Sequence, residues 1–190
     1  MAETMKIHKL YSNVIQPKLG SDEAACLDVH AHLRGPNLTE DKHPQLRKIK
    51  WYDVNNQLHE TSPDVVFNDD DAVCTFTLGP HCRALIPTGM VFAMPCGFSA
   101  RLHPRSGLAW KHGINLINCE GIIDSDYCKE VFVPLHNNTK VPFKIRHGDR
   151  IAQVEIVKPY STAHYITFTD ATPKEQKTNR MGGFGSTGVV

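Results

Sequence analysis

Several short stretches of this chain bring together residue types suited to handling a phosphate ester. Pro104-Arg105-Ser106-Gly107-Leu108-Ala109 sets a cation, a hydroxyl and a glycine at the mouth of a possible helix. Free backbone N–H groups at such a start suit an anion such as phosphate. Read alone, an N-capped helix with a solvent-facing arginine explains the stretch better. Asn118-Cys119-Glu120-Gly121-Ile122-Ile123-Asp124-Ser125-Asp126-Tyr127 has the look of a β-hairpin. Its glycine would let a flat ligand approach the backbone, and its return strand carries two carboxylates and an aromatic ring. Two aspartates in a turn and a half-buried strand tyrosine are the plainer alternative. Gly148-Asp149-Arg150-Ile151-Ala152-Gln153 is a turn entering an apolar strand, in which Gln153 must find a backbone or ligand partner for its amide. Finally, Arg180-Met181-Gly182-Gly183-Phe184-Gly185-Ser186-Thr187-Gly188 alternates small residues with one phenylalanine. Such a segment can wrap phosphate with amides and hydroxyls while Phe184 stacks on a base, or it can be a disordered glycine-rich tail.

The elements that must hold these residues are strands. Short runs rich in Val, Ile and Phe recur about every ten residues between Gly, Pro, Asn or Asp: 73–78, 84–86, 90–93, 131–135, 141–145, 151–157 and 165–168. This rhythm predicts an all-β sandwich or barrel with one short helix, over Ser106 to His112. Residues 33–72 break the rhythm with a polar, proline-punctuated stretch. It reads as an inserted surface excursion carrying a hairpin, with Ile49 to Tyr52 and Gln57 to Glu60 flanking a turn at Asp53-Val54-Asn55-Asn56. Its closing Asp69-Asp70-Asp71 reads as a solvated acidic turn rather than a cation site. The expected organisation is one β domain over 1–171 and a polar arm over 172–190 that orders only against a ligand or neighbour.

Bulk composition narrows the partners. With 190 residues and 41% hydrophobic content, one core can be buried, and two would each be marginal. Lysine and arginine number 21 against 20 acidic residues, so no global field would hold nucleic acid or an acidic membrane surface. A small polyanion would need locally focused charge. Six cysteines without a C-x-x-C pair, and no apolar leader or spanning run, point to reduced thiols in a cytosol or nucleus, with the cytoplasm as the expected location.

In order and spacing these stretches resemble the dUTPase family, the deoxyuridine 5'-triphosphate nucleotidohydrolases. Ala24-Ala25-Cys26-Leu27-Asp28-Val29 is similar to the family's first motif, Pro104 to Ala109 to the second, Gly121 to Tyr127 to the third, Gly148 to Gln153 to the fourth and Gly182 to Gly188 to the fifth. The resemblance implies a jelly-roll homotrimer with active sites shared between subunits, and a Mg2+-dependent hydrolase that converts dUTP to dUMP and pyrophosphate. It assigns Asp124 as general base and Tyr127 as the ring beneath the deoxyribose, with Asn118, Gly121 and Ile123 on the uracil side. Arg105, Ser106, Gly107 and Gln153 would hold the phosphates, and Asp28 would face the Mg2+ through water. From the arm, Phe184 would cover the uracil while Arg180, Gly185, Ser186 and Thr187 reach the γ-phosphate.

Two departures accompany the resemblance. Cys26 stands where the family usually has glycine, beside Asp28. Arg180 precedes Phe184 by four positions rather than the family's usual five, which leaves Lys177 as a second candidate for the γ-phosphate. The related dCTP deaminases place a catalytic glutamate ten positions after the hairpin aspartate. Here that position is Pro134, which can relay no proton, and Glu130 comes too early in the strand. The extra segment 33–72, with Trp51 and Tyr52, suggests a docking feature for a protein partner and a regulatory role alongside catalysis. Together with Pro17-Lys18-Leu19-Gly20-Ser21 it gives the chain the look of a phage or viral enzyme, acting then in a host cytoplasm.

Overall fold

Alternation of inward and outward side chains builds the strands. Along Phe132–Asn137 the residues Val133, Leu135 and Asn137 are buried while Phe132, Pro134 and His136 face outward. The computed structural model describes residues 4–38, 44–68 and 71–158. In chain order its strands are β1 (Lys6–Lys9), β2 (Lys18–Leu19), β3 (Leu27–His30), β4 (Arg34–Leu38), β5 (Pro44–Leu46), β6 (Ile49–Tyr52), β7 (Leu58–Thr61), β8 (Asp64–Asn68) and β9 (Asp71–Leu78). Then come β10 (Arg83–Pro87), β11 (Met90–Ala93), β12 (Ser99–His103), the helix α1 (Ser106–His112), β13 (Ile114–Leu116), β14 (Gly121–Asp124), β15 (Phe132–Asn137), β16 (Phe143–Arg146) and β17 (Arg150–Val157).

Two five-stranded sheets dominate, ordered β13-β15-β10-β6-β7 and β14-β12-β17-β3-β2, with a three-stranded sheet β16-β9-β8 and the pairs β1-β11 and β4-β5 beside them. Every described pairing is antiparallel. Inward residues of both large sheets and of β9 and β16, among them Ile86, Val133, Val29, Ala152, Leu78 and Ile145, form one fully buried core. Asn137 is the buried polar pin of this core. Its amide nitrogen donates to Leu78 O (3.2 Å) and Val141 O (2.8 Å), and its oxygen accepts from Thr139 N (2.9 Å), which satisfies the group.

The all-β architecture and, among the described residues, the single helix at Ser106–His112 stand as the sequence predicts. The surface excursion does not. Residues 33–72 are woven into the body: β6 extends a large sheet by pairing with β10, β8 pairs with β9, and Leu33 and Ile49 are fully buried. Their inward positions are spaced too widely to form an apolar run, so the polar outward residues dominated the reading. The expected hairpin is there as β6 and β7, its turn held by Asp53 Oδ1, which accepts from Asn55 N (2.9 Å) and Gln57 N (2.8 Å). The rings offered as docking features are engaged within the sheet: Trp51 stacks on His59 at 4.4 Å, and Tyr52 lies under the Arg83 guanidinium at 4.2 Å. The acidic run at 69–70, the apolar run 165–168 and the whole arm 172–190, with Lys177, Arg180, Phe184, Gly185, Ser186 and Thr187, lie outside the described residues.

Candidate active site

The first cleft forms where β12 runs out into α1. Arg105 occupies the N-cap of α1 with extended backbone and makes no side-chain capping bond. Its side chain, 25% exposed, turns inward instead, placing Nε 3.2 Å from Asp28 Oδ1 and donating from Nη1 to Arg150 O at 3.1 Å. Asp28 sits on β3 across from Gln153 of β17, and its second oxygen accepts from Arg150 Nη1 at 3.0 Å. The carboxylate therefore holds two guanidiniums in place, and two cations against one anion leave the cleft positive. Gln153 resolves its amide toward backbone, with Nε2 donating to Pro104 O at 3.3 Å, which braces the turn carrying Arg105. Ser106 and Gly107 are exposed on the same cleft, and nothing lies within 4 Å of where a Cβ at Gly107 would sit. Cys26 lines the cleft too, its thiol pushed up by burial and by the Glu155 carboxylate, so it stays a neutral neighbour of the arginines. Beside Asp28, burial holds the His30 ring below its ordinary value, which keeps it uncharged near neutral pH.

The second cleft opens around 118–127, and here the expected hairpin takes a different form. Its two arms do not pair with each other: β13 pairs with β15, whereas β14 pairs with β12 in the other large sheet. The chain crosses between sheets through a tight turn, with Cys119 at φ 62° and Glu120 N donating to Asn118 O at 2.6 Å. A two-sided pocket results, where a laddered hairpin would have been closed. Asn118, Gly121, Asp124 and Tyr127 line it together with the apolar Leu102, Phe132 and Pro134. At Gly121 a Cβ would come within 3.2 Å of Leu102 Cβ, so glycine keeps this wall thin. Ile123 is buried behind it, while Asp124 is exposed. Tyr127 turns back on Asp124, with its N donating to Asp124 O at 3.1 Å, and its hydroxyl donates to Glu130 O at 3.0 Å. The Glu130 side chain is committed elsewhere, to Arg47 and to Gly89 N, so it has no freedom to act on a ligand in this pocket.

Arg105, Ser106, Gly107, Gln153 and Asp28 thus meet in one cleft, and Asn118, Gly121, Asp124 and Tyr127 in another. Within them, Asp124 and Arg105 lie toward opposite ends of β12, while Leu102 and Gly121 of the second cleft sit next to the His103–Gln153 pair that borders the first. Asp124 pairs with Ser99 at its start, and Arg105 follows its last residue, His103. Six extended residues at about 3.3 Å each put these positions roughly 20 Å apart. Sequence reading passed over Arg150 as a site residue; its signal was a cation in the turn that leads to Gln153. The apolar walls Leu102 and Phe132 carried no signal, being strand residues like any others. Among the described residues no group of three or more His, Cys, Asp or Glu is placed to hold a metal ion, and Asp28 is the sole carboxylate lining the first cleft.

Comparison with known proteins converges on one family. The dUTPase family model matches residues 69–188. The deoxyuridine 5'-triphosphate nucleotidohydrolase of Rhizobium rhizogenes is 46% identical over 115 residues, covering 60% of this chain and 71% of the relative. Its counterpart from Wolbachia pipientis is 47% identical over 119 residues, covering 63% and 74%. Among solved structures, a point mutant of the dUTPase of Staphylococcus bacteriophage 80alpha with dUpNHpp superimposes with a TM-score of 0.68 at 17% identity, covering 99% of this chain and 100% of that one. The dUTPase of phage phi11 of S. aureus gives 0.58 at 17% identity, covering 92% and 99%. These structures share the fold, and the family model and the curated relatives carry the assignment: the chain belongs to the dUTPase family.

Proposed function

We propose that this dUTP diphosphatase hydrolyses dUTP to dUMP and pyrophosphate at sites that each combine the second cleft of one subunit with the first cleft of another, in a homotrimer. The observation that carries the reading is the separation of Asp124 from Arg105 along β12. One α-phosphorus cannot lie beside Asp124 and also belong to a triphosphate gripped by Arg105 of the same chain when roughly 20 Å divides them. Bringing a neighbour's first cleft against the second cleft removes the conflict.

In this arrangement uracil enters between Asn118 and Gly121, with the backbone near Ile123 reading its edge, and Tyr127 packs under the deoxyribose. Asp124 accepts a proton from water as the water oxygen bonds to the α-phosphorus. The bridging P–O bond then breaks and pyrophosphate leaves with that electron pair. An aspartate is a weak base at neutral pH, so alignment of the water must supply much of the rate. Arg105, with Ser106, Gly107 and Gln153, holds the phosphates, and Asp28 keeps Arg105 and Arg150 aimed into the cleft. The donor set fits a Mg2+ held mainly by the substrate's own phosphates: a cage of carboxylates is lacking among the described residues, and Asp28 retains lone pairs for bridging waters. When bound, Mg2+ would neutralise charge on the departing pyrophosphate. The phage phi11 dUTPase, of the same fold, has been described with a structural Mg(II) ion.

The domain is taken as 1–171 with the segment 33–72 built into it, and 172–190 as an arm that closes on a neighbour's site. Phe184 then covers the uracil, and Gly185, Ser186 and Thr187 reach the γ-phosphate with either Arg180 or Lys177. No helix among the described residues is long and apolar enough to cross a membrane, which fits the cytoplasmic nucleotide pool as the source of substrate. Pyrophosphate release from dUTP, dCTP, dTTP and UTP, with and without Mg2+, tests the proposal. Selective cleavage of dUTP supports it, and equal cleavage of dTTP or UTP would remove the assigned roles of the second cleft.

A further inference from the structure

We propose that Arg47, contributed by the segment 33–72, is a positioning residue that sets where Tyr127 stands and thereby how strongly the enzyme rejects a ribonucleotide. The inference rests on the proposed role of Tyr127 beneath the deoxyribose. Tyr127 lies in the stretch 125–131, which joins β14 to β15 without strand pairing of its own, and residues 126–129 are exposed. Such a stretch takes its shape from its anchors. One anchor is the turn from Tyr127 N to Asp124 O. The far end is held by Glu130, whose backbone oxygen accepts the Tyr127 hydroxyl at 3.0 Å, and by Val131, whose N donates to Met90 O at 2.8 Å and whose O accepts from Thr88 Oγ1 at 2.6 Å.

Arg47 holds Glu130. The guanidinium donates through Nη1 to Oε1 at 2.6 Å and through Nη2 to Oε2 at 2.5 Å, with only 15% and 10% of the two side chains exposed. Glu130 Oε1 also accepts Gly89 N at 2.7 Å. Arg47 is itself fixed, its N donating to Leu33 O at 3.1 Å and its guanidinium lying 5.1 Å from the Tyr11 ring centroid. A planar fork on a carboxylate defines orientation as well as distance, and it is stronger when little water competes. The connection therefore runs from the inserted segment to the sugar-facing ring through two hydrogen-bonded links. Without Arg47, Glu130 would be a nearly buried carboxylate short of its cation, and its side chain would turn toward water, pulling on the peptide it shares with Val131 and so on the oxygen that accepts the Tyr127 hydroxyl. The ring would then stand less firmly against a 2′-hydroxyl, while Asp124, anchored in β14, would keep its place.

The experiment compares kcat and KM for dUTP and UTP in the full-length enzyme and in Arg47→Met, Arg47→Lys, Tyr127→Phe and the double variant Arg47→Met/Tyr127→Phe. Arg47→Met should lower the dUTP-over-UTP ratio of kcat/KM by about tenfold, the scale of one lost hydrogen bond, chiefly through KM, with kcat for dUTP within about twofold of wild type. Arg47→Lys should recover part of the ratio. In the Tyr127→Phe background, where the hydroxyl link is already gone, Arg47→Met should produce little further loss of selectivity. If Arg47→Met does not fold, Glu130→Gln provides the same comparison with the shape of the side chain retained. An unchanged ratio in the folded variants, or losses that add in full, overturns the proposal. Discrimination that survives Tyr127→Ala would instead defeat the underlying reading of Tyr127, a result separable from the others because it needs no change at Arg47.

Discussion

At the scale of single residues, exposure and partners separate side chains available for chemistry from those spent on structure. Asp124 is exposed at the end of β14, whereas Asp28 is shared between two arginines and Glu130 is gripped by Arg47 and Gly89 N. Asp124→Asn keeps the shape and loses the proton acceptor, so kcat for dUTP should fall roughly a thousandfold while the nucleotide still binds. Single-turnover kinetics with an equilibrium binding assay check this, and retained turnover would remove Asp124 as the base. A second residue bears on stability. His32 is 2% exposed, stacked on Tyr11 at 5.3 Å and edge-on to His147 at 5.0 Å. Burial, with the His147 and Arg47 charges nearby, pushes its pKa down to about 4. The unfolded chain takes up this proton below about 6.5, whereas the folded chain resists until about 4, so stability is lost as pH falls through that window. The loss should be on the order of 3 kcal/mol by the bottom of the window. His32→Phe keeps the stacking and removes the proton site. Urea midpoints measured from pH 7 to 4.5 should then decline less steeply than in wild type, and matching slopes would show that other groups govern acid sensitivity.

At the scale of elements, what was legible in the sequence was what repeats locally. α1 falls where a proline-arginine turn precedes the one short helical stretch, and β11 and β17 follow short apolar runs. Pairing partners were not legible, because a period of two says which side chains face inward without saying which strand lies alongside. That is why the arms at 114–116 and 121–124 read as a hairpin although they join different sheets, and why β6 and β7, which extend a large sheet to its edge, read as an excursion. The first cleft was legible as Arg105, Ser106, Gly107 and Gln153, while the Asp28 clamp on Arg105 and Arg150 depends on long-range register between β3 and β17. The helix that follows the first cleft can be tested through its C-cap. Gly113 has φ 62° and donates to Ala109 O and Leu108 O, and a Cβ there would sit 2.4 Å from Thr139 Cγ2. Thr139 cannot swing away cheaply, since its hydroxyl bonds to Asn137 Oδ1 and Val141 O. Gly113→Ala should therefore cost about 1–2 kcal/mol from the left-handed backbone, with the contact adding to it. A denaturation midpoint equal to wild type would mean the helix end relaxes freely.

At the scale of the whole molecule, the proposed reading divides one reaction between Asp124 and Arg105, roughly 20 Å apart on one chain, which would make assembly a condition of activity. Complementation distinguishes this from a site contained in one subunit. Asp124→Asn lacks the base and keeps its first cleft, whereas Arg105→Ala lacks the guanidinium that Asp28 aims and keeps its second cleft. Each homotrimer should be nearly inactive. After joint unfolding, equal mixing and refolding, a site drawn from two subunits is intact when the donor of Asp124 and the donor of Arg105 are both sound at those positions. Random assortment makes that about one site in four, so the mixture should recover about a quarter of wild-type activity per subunit. If both residues had to come from the same chain, every chain would carry a lesion and mixing would restore nothing. The controls are separately refolded variants combined afterwards, which exchange no subunits and should stay inactive. Recovery near one quarter by refolding, with none by simple mixing, is the pattern that a shared site requires.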